Sequence, residues 1–329
     1  KDPFFKQTAT VFTIHNLGYQ GTFPSEKLFV TGLPSSFFSP GGLEYWGKIS
    51  LLKAGIVYAD VVTTVSPRYS QEIQTPEFGF GLDGVLKERR QVLHGILNGV
   101  DYMTWDPSID EHIAKRYGPE TLEGKKKCKR ALLDEMGMDS ALMDRPVLGM
   151  VSRLVSQKGT DLLIKKSNDL SALGIGVIVL ATGEQLYQDS FMEWAGKDPK
   201  RIGVRIGFDE RLAHSIIAGS DILLIPSRYE PCGLTQMYAL KYGTVPLVRA
   251  TGGLEDSVEQ FDLETGEGTG FKFKKYDPEA FLEAIRSAVD LFGDKLSWNK
   301  LIQNGMKADF SWDRSARQYL DLYNKILRR

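Results

Sequence analysis

Short apolar runs rich in valine, isoleucine and leucine recur along this chain, most followed by a longer stretch of helical period, and that alternation leaves few folds open. The runs fall at residues 8–14, 61–65, 92–97, 147–151, 177–181, 203–206, 222–225 and 245–248. They are continuously apolar rather than alternating, so each strand must be covered on both faces. Helical patterns at 48–58, 120–136, 161–173, 211–218 and 234–241 supply that cover. Strands alternating with helices predict an α/β fold in which parallel sheets are wrapped by helices.

At 329 residues the chain is too long for one comfortable core and predicts two domains. Only three of the strands precede the turn Leu97-Asn98-Gly99-Val100-Asp101, which is few for a complete doubly wound sheet. The expected division is therefore an incomplete first domain over 1–97 and a complete second domain over 98–307. A final helix follows within 308–329 and either caps the second domain or crosses back to the first. The chain starts at Lys1 without a methionine and reads as a fragment. The run Lys125-Lys126-Lys127-Cys128-Lys129-Arg130 lies in a helical pattern and predicts a solvated face.

Composition excludes several classes. A net charge of −1 gives no field to attract nucleic acid or an anionic membrane, and no apolar run approaches the length of a span. Two cysteines in unlike contexts, with no Cys-x-x-Cys, His-x-x-x-His or Asp-x-Asp, argue against a disulfide scaffold or a bound metal and for a reducing compartment.

The segment Glu230-Pro231-Cys232-Gly233-Leu234-Thr235-Gln236 follows an apolar strand and opens a helix. Free N–H groups at a helix start favour an anion, and a carboxylate one turn earlier suits a hydroxyl-rich group attached to it. A sugar joined to a phosphate has that chemistry; an ordinary strand-to-helix connection is the alternative. Arg153 ends another strand, Lys158 follows in the loop beyond it, and two cations there can neutralise a diphosphate. His15 lies just past the first strand, as a catalyst or as a structural hydrogen-bonder. Gly252 and Gly253 open a further helix and allow close approach of a ligand or of neighbouring backbone. Gly79-Phe80-Gly81-Leu82-Asp83-Gly84 fits the dinucleotide pattern in letters alone, because Pro76 rules out the central strand that must precede it.

Taken together, these segments resemble the bacterial glycogen synthases and plant starch synthases. The matching pieces, in the family's order, are His15-Asn16-Leu17-Gly18-Tyr19-Gln20-Gly21, Leu52-Lys53-Ala54-Gly55, Thr64-Val65-Ser66-Pro67, Leu97-Asn98-Gly99-Val100-Asp101, Val151-Ser152-Arg153-Leu154, Gln157-Lys158-Gly159, Pro226-Ser227-Arg228, the Glu230 segment and Thr251-Gly252-Gly253-Leu254. The resemblance implies two Rossmann-like domains facing across a cleft, the GT-B glycosyltransferase fold. It also implies transfer of glucose from ADP-glucose, less often UDP-glucose, to the non-reducing 4-hydroxyl of an α-1,4-glucan with retention of configuration. No cofactor is implied, and the partners are the nucleotide sugar and the glucan. The compartment is the cytoplasm in a bacterium or the plastid in a plant.

By the same resemblance Arg153 and Lys158 hold the donor phosphates with the amides of Gly233, Leu234 and Thr235. Glu230 holds glucose hydroxyls beside Cys232 and Gly233, and His15 lies over the sugar. Asn98 reaches the glucosyl phosphate, Phe208 lies against the base, and Tyr238, Gly252 and Gly253 complete the binding set. Tyr238 stands where many related glycosyltransferases have a second glutamate. The family's amino-terminal Lys-x-Gly-Gly-Leu donor loop does not occur in these residues, so the match covers about two thirds of a whole enzyme by domain size. Two other readings share the fold plan: a glucan phosphorylase, which needs pyridoxal phosphate on a lysine, and a non-catalytic glucan-binding protein or inactive fragment.

Overall fold

The computed structural model describes residues 3–327, and the chain divides into two compact units, Lys1–Asn98 with Asp313–Arg329 and Gly99–Trp312. In the first unit β1 (Val11–Ile14) leads to an antiparallel ribbon of β2 (Thr22–Pro24), β3 (Glu44–Tyr45) and β4 (Lys48–Ser50). Then come α1 (Leu51–Tyr58), β5 (Val61–Thr64), α2 (Pro67–Glu72), α3 (Asp83–Glu88) and β6 (Leu93–Gly95). Strands β1, β5 and β6 form a parallel sheet in that order, with Val11 opposite Val61 and Val62 opposite Leu93.

The helical pattern over 48–58 is only partly realised. Ser50 is extended and its side chain accepts from the Lys53 N–H, so the helix starts at Leu51 and Lys48–Ser50 joins the ribbon. Turns, not a strand, lead into Gly79. Phe80 sits there at φ 48°, its carbonyl accepting from Gln20 Nε2 at 2.8 Å and Tyr45 Oη at 2.9 Å.

The second unit runs α4 (Glu123–Glu135), β7 (Val147–Leu154), α5 (Thr160–Lys165), α6 (Ser167–Ala172), β8 (Gly176–Gly183), α7 (Gln185–Lys197), β9 (Ile202–Ile206) and α8 (Glu210–Gly219). It continues with β10 (Ile222–Ile225), α9 (Thr235–Lys241), β11 (Val245–Arg249), α10 (Gly252–Ser257), β12 (Phe271–Phe273), α11 (Pro278–Gly293) and α12 (Lys295–Lys307). All six strands are parallel, in the order β12-β11-β10-β7-β8-β9. Their buried faces, including Leu148, Val177, Val179, Leu223 and Leu247, form one continuous core with the flanking helices. The expected helix over 161–173 breaks in two at Lys166, whose φ of −105° and ψ of 10° leave the helical region.

The lysine run departs from its expected solvated face. Lys125 is buried, its Nζ donating to Ala218 O at 2.9 Å and Thr244 Oγ1 at 2.5 Å. Lys129 is also buried and pairs with Asp221 Oδ2 at 2.7 Å. Burial pulls the Lys125 ammonium down to about 8. A charge run read as a string does not reveal that α4 turns two of its lysines inward against α8 and the amino end of β10.

The last helix, α13 (Trp312–Leu327), falls within the expected 308–329 and starts after Ser311 bridges to Val100. Its residues from Asp313 onward belong to the first unit, where Leu322, Tyr319 and Ile326 pack on Val61, Ile96 and Val11.

Candidate functional site

The sheet of the second unit reverses direction between β7 and β10. From β7 the chain moves outward through β8 and β9, then returns to β10 and moves the other way through β11 and β12. Loops leaving the carboxyl ends of β7 and β10 must therefore diverge, and the crevice between them is the place where open α/β sheets bind ligands. Arg153 is the penultimate residue of β7 and Lys158 lies in the short 3-10 turn Ser156–Lys158 after it, while Ser227 and Glu230 follow β10. Arg153, Lys158, Ser227 and Thr235 line a cavity of about 230 Å³ here, with Met150 and Leu224 from the sheet.

Within this crevice Lys158 Nζ lies 2.6 Å from Glu230 Oε2, and Ser227 Oγ donates to the same oxygen at 2.9 Å. The Glu230 side chain is only 8% exposed and that of Lys158 21%, so the pair is shielded from water on most sides. A carboxylate held this way is preorganised as an acceptor, and an ammonium that has one carboxylate still has donors to offer.

Local backbone explains why the two loops meet. Gly159 has φ 71°, and a β-carbon there would be driven into the Pro226 carbonyl oxygen. The Arg228 N–H donates to Gln157 O at 2.8 Å, and Gln157 Nε2 donates to Tyr229 O at 3.3 Å. At α9 the first intrahelical bonds run from the Met237 and Tyr238 N–H groups to Leu234 O, at 2.9 and 3.0 Å. The amides ahead of them have no intrahelical acceptor. Gln236, fully buried, ties this turn down, its Nε2 donating to Cys232 O, Gly233 O and Ser257 Oγ at 3.0 to 3.1 Å.

Gly252 and Gly253 serve the same loop from behind. The Gly253 N–H donates to Glu230 O at 3.1 Å and Pro231 O at 3.2 Å, and β-carbons on the two glycines would collide with Glu230 O and Cys232 O. Neighbouring backbone, rather than open space, thus occupies the room their missing side chains leave.

The remaining expected residues are more scattered. Cys232 is buried beside Gly233, and Phe208 projects beyond β9 with 90% of its surface exposed. Tyr238 is half-buried in α9 and stacks on Trp105 with centroids 4.0 Å apart and planes 4° from parallel. Trp105 stacks in turn on His214 at 3.7 Å. Burial pushes the Tyr238 phenol up, and the nearby Asp101 and Cys232 add to this. His15, exposed at the end of β1, and Asn98, half-buried, belong to the first unit.

Three contributors fall in the matching motifs but carry no role in the sequence analysis: Ser227, Gln157 and Gln236. Ser227 offers a signal in hindsight, since a hydroxyl three residues before a strand-end carboxylate lies within reach of it. The two glutamines act through backbone carbonyls, which leave no residue-level trace.

Residues 1–88 match the starch synthase catalytic domain family, and residues 139–307 match the glycosyl transferases group 1 family. A glycogen synthase of Pseudothermotoga lettingae is 49% identical over 329 residues, covering 100% of this chain and 68% of that protein. This chain belongs to the glycogen and starch synthase family. A glycogen synthase of Koribacter versatilis is 48% identical over 325 residues, 99% of this chain and 67% of its own length. Among solved structures, the catalytic domain of starch synthase IV from Arabidopsis thaliana, bound to ADP and acarbose, superposes with a TM-score of 0.91 at 36% identity, covering 97% of this chain and 67% of that one. The chain therefore spans about two thirds of the length of these relatives and has the GT-B glycosyltransferase fold of its family. As a member of the glycogen synthase family it is a glycosyltransferase of the glucosyl-transferring type. Among the described residues no helix is long and apolar enough to cross a membrane, and no group of three or more His, Cys, Asp and Glu side chains is placed to hold a metal ion.

Proposed function

We propose that this glycogen synthase family member binds ADP-glucose at the β7/β10 crevice and transfers its glucose to the non-reducing 4-hydroxyl of an α-1,4-glucan, with retention and without a metal or cofactor. The observation that carries the reading is the Lys158–Glu230 ion pair at 2.6 Å, whose lysine lines the same cavity as Arg153 and Thr235. It brings together, in one place, a carboxylate suited to sugar hydroxyls and cations suited to a diphosphate. The Arabidopsis relative solved with ADP and acarbose supports the choice of nucleotide and of glucan chemistry.

In this mechanism Arg153, Lys158 and the amides of Gly233, Leu234 and Thr235 take the donor diphosphate. As the bond from the anomeric carbon to the diphosphate oxygen breaks, negative charge grows on the leaving group, and fixed donors stabilise it more than they stabilise the ground state. The acceptor 4-hydroxyl attacks from the same face, a new glycosidic bond forms, and its proton passes to the departing phosphate. Glu230, with one oxygen held by Lys158 and Ser227, orients sugar hydroxyls rather than acting as a nucleophile. Family resemblance assigns His15 to the sugar, Asn98 to the glucosyl phosphate, and Phe208 with Tyr238 to the base and ribose side. Cys232 completes the binding set, Gly252 and Gly253 serve it by letting the Glu230 loop pack against them, and the reaction belongs in the cytoplasm of a bacterium or the plastid of a plant.

Calorimetric titration with ADP-glucose and with UDP-glucose tests this, followed by an assay of nucleotide release with a maltooligosaccharide and a chelator present. The expected result is tighter binding of ADP-glucose and release of ADP that survives chelation. Absence of nucleotide-sugar binding, or activity abolished by the chelator, would overturn it.

A further inference from the structure

Four loops at the carboxyl edge of the second sheet meet on one ring, that of Tyr276, which follows β12. Its hydroxyl donates a hydrogen bond to Asp161 Oδ1 in the first turn of α5, three residues beyond Lys158. The guanidinium of Arg228, two residues before Glu230, lies over the ring 4.2 Å from its centroid. Arg249, the last residue of β11, lies over it at 5.7 Å. Arg249 also donates to Arg228 O, and its Nε donates to Lys274 O at 3.2 Å.

The connections have a direction. Asp161 already has a partner within its own helix, Lys165 at 3.2 Å, so what the Tyr276 hydroxyl adds is a tie from the loop after β7 to the loop after β12. The stacked guanidinium adds the loop after β10, and Arg249 adds the end of β11. Burial pushes the Tyr276 phenol up, and its bond to the Asp161 carboxylate pushes it further, so it stays a protonated donor at any physiological pH. Neither Tyr276 nor Asp161 lines the cavity shared by Arg153 and Lys158. Their reach toward that cavity runs through the backbone of the two loops bearing Lys158 and Glu230.

We infer that Tyr276 is a positioning residue for donor binding, holding the Lys158 loop in register with the Glu230 loop through Asp161 and Arg228. The inference rests on the reading that Lys158 meets the donor phosphates. A rigid ring between a carboxylate and two guanidinium groups suits this work, because it fixes loop spacing without placing another charge in the crevice.

Titration of ADP into the intact chain, into Tyr276→Phe, Lys158→Ala and the double variant, with thermal midpoints measured alongside, provides the test. Tyr276→Phe keeps the ring under the guanidinium groups and loses only the hydroxyl, and with it the tie to Asp161 and the hydrogen bond from Arg228. It should weaken ADP binding by about tenfold, the loss expected when one charge-assisted hydrogen bond no longer holds a ligating group, while the midpoint stays within a few degrees. In the Lys158→Ala background the same change should have no further effect. Asp161→Asn offers a second route to the same loss should Tyr276→Phe fold poorly. Wild-type affinity in both single variants, or an undiminished loss in the Lys158→Ala background, would overturn the inference. Absence of ADP binding by the unsubstituted chain is a separate outcome, which would remove the donor-site reading and this inference with it.

Discussion

Lys158 Nζ and Glu230 Oε2 stand 2.6 Å apart, joining the loop after β7 to the loop after β10 at the reversal point of the sheet. Each partner holds the other where a donor would need it. Lys158 and Ser227 fix one oxygen of the carboxylate, and Glu230 holds the ammonium at the cavity wall instead of free in solvent.

Replacing either partner should therefore affect both binding and chemistry. Lys158→Ala and Glu230→Gln are each expected to lower turnover by roughly 10²- to 10³-fold, as for loss of one preorganised stabilising group. Lys158→Ala should also destabilise the fold by ~1–3 kcal/mol, between the worth of an exposed pair and a buried one. Steady-state kinetics and urea unfolding measure these separately, and wild-type turnover in both variants would remove the assigned roles.

Phe208 makes the opposite kind of test. With 90% of its surface exposed it holds nothing together, so Phe208→Ala should leave the unfolding midpoint unchanged. If the ring stacks on the adenine, ADP affinity falls by about 1–3 kcal/mol, the usual worth of a base on an aromatic face. Unchanged affinity by titration calorimetry would remove Phe208 from the site.

Lys125 carries a pH signature. Its folded value of about 8 is below the ordinary 10.5, so above pH 8 the unfolded chain binds more protons than the folded one. Stability must then rise with pH from about 8 toward 10.5, because the penalty of burying the charged form is relieved there, by about 3 kcal/mol over the whole range. Urea titrations between pH 7 and about 9.5, below the ordinary ionisation of tyrosine, should show this rise in the wild type and a flatter profile in Lys125→Met. A rise of equal slope in the variant would assign it to another group.

Asp110 should act at the acid end. Burial pushes its carboxyl up, but hydrogen bonds from His214, Tyr242 and the His112 N–H outweigh that and hold it below the ordinary 3.8. The stability it contributes is present above pH 3.8 and is lost as pH falls through the lower folded value. Asp110→Asn removes the charge that receives His214 Nδ1 at 2.8 Å and Tyr242 Oη at 2.6 Å, both in the buried wall beneath the Trp105 stack. A loss of about 2–4 kcal/mol at neutral pH is expected, with less difference from wild type below pH 3. Equal stability of variant and wild type at pH 7 would contradict it.

The fold class was legible in the sequence because continuous apolar runs have few places to go other than a doubly covered parallel sheet. Other elements were not: β12 is short, α7 buries only Phe191 and Trp194, and α11 and α12 carry clean apolar faces that no expected helix covers. Tyr276 and Trp105 gave no signal, since an aromatic that organises loops from four strand ends looks, in one dimension, like any other aromatic.

The order of residues alone determined the chemistry on offer: a strand-end carboxylate, two cations beyond another strand, and glycines where side chains cannot fit. Strand order was decided only in three dimensions, because pairing β10 with β7 rather than with its sequence neighbour β9 depends on long-range packing of faces that are equally apolar. That pairing sets Lys158 beside Glu230, 72 residues away along the chain. Inward rotation of Lys125 and Lys129 was likewise a matter of packing, since a helix face is named by what it meets and not by its own letters.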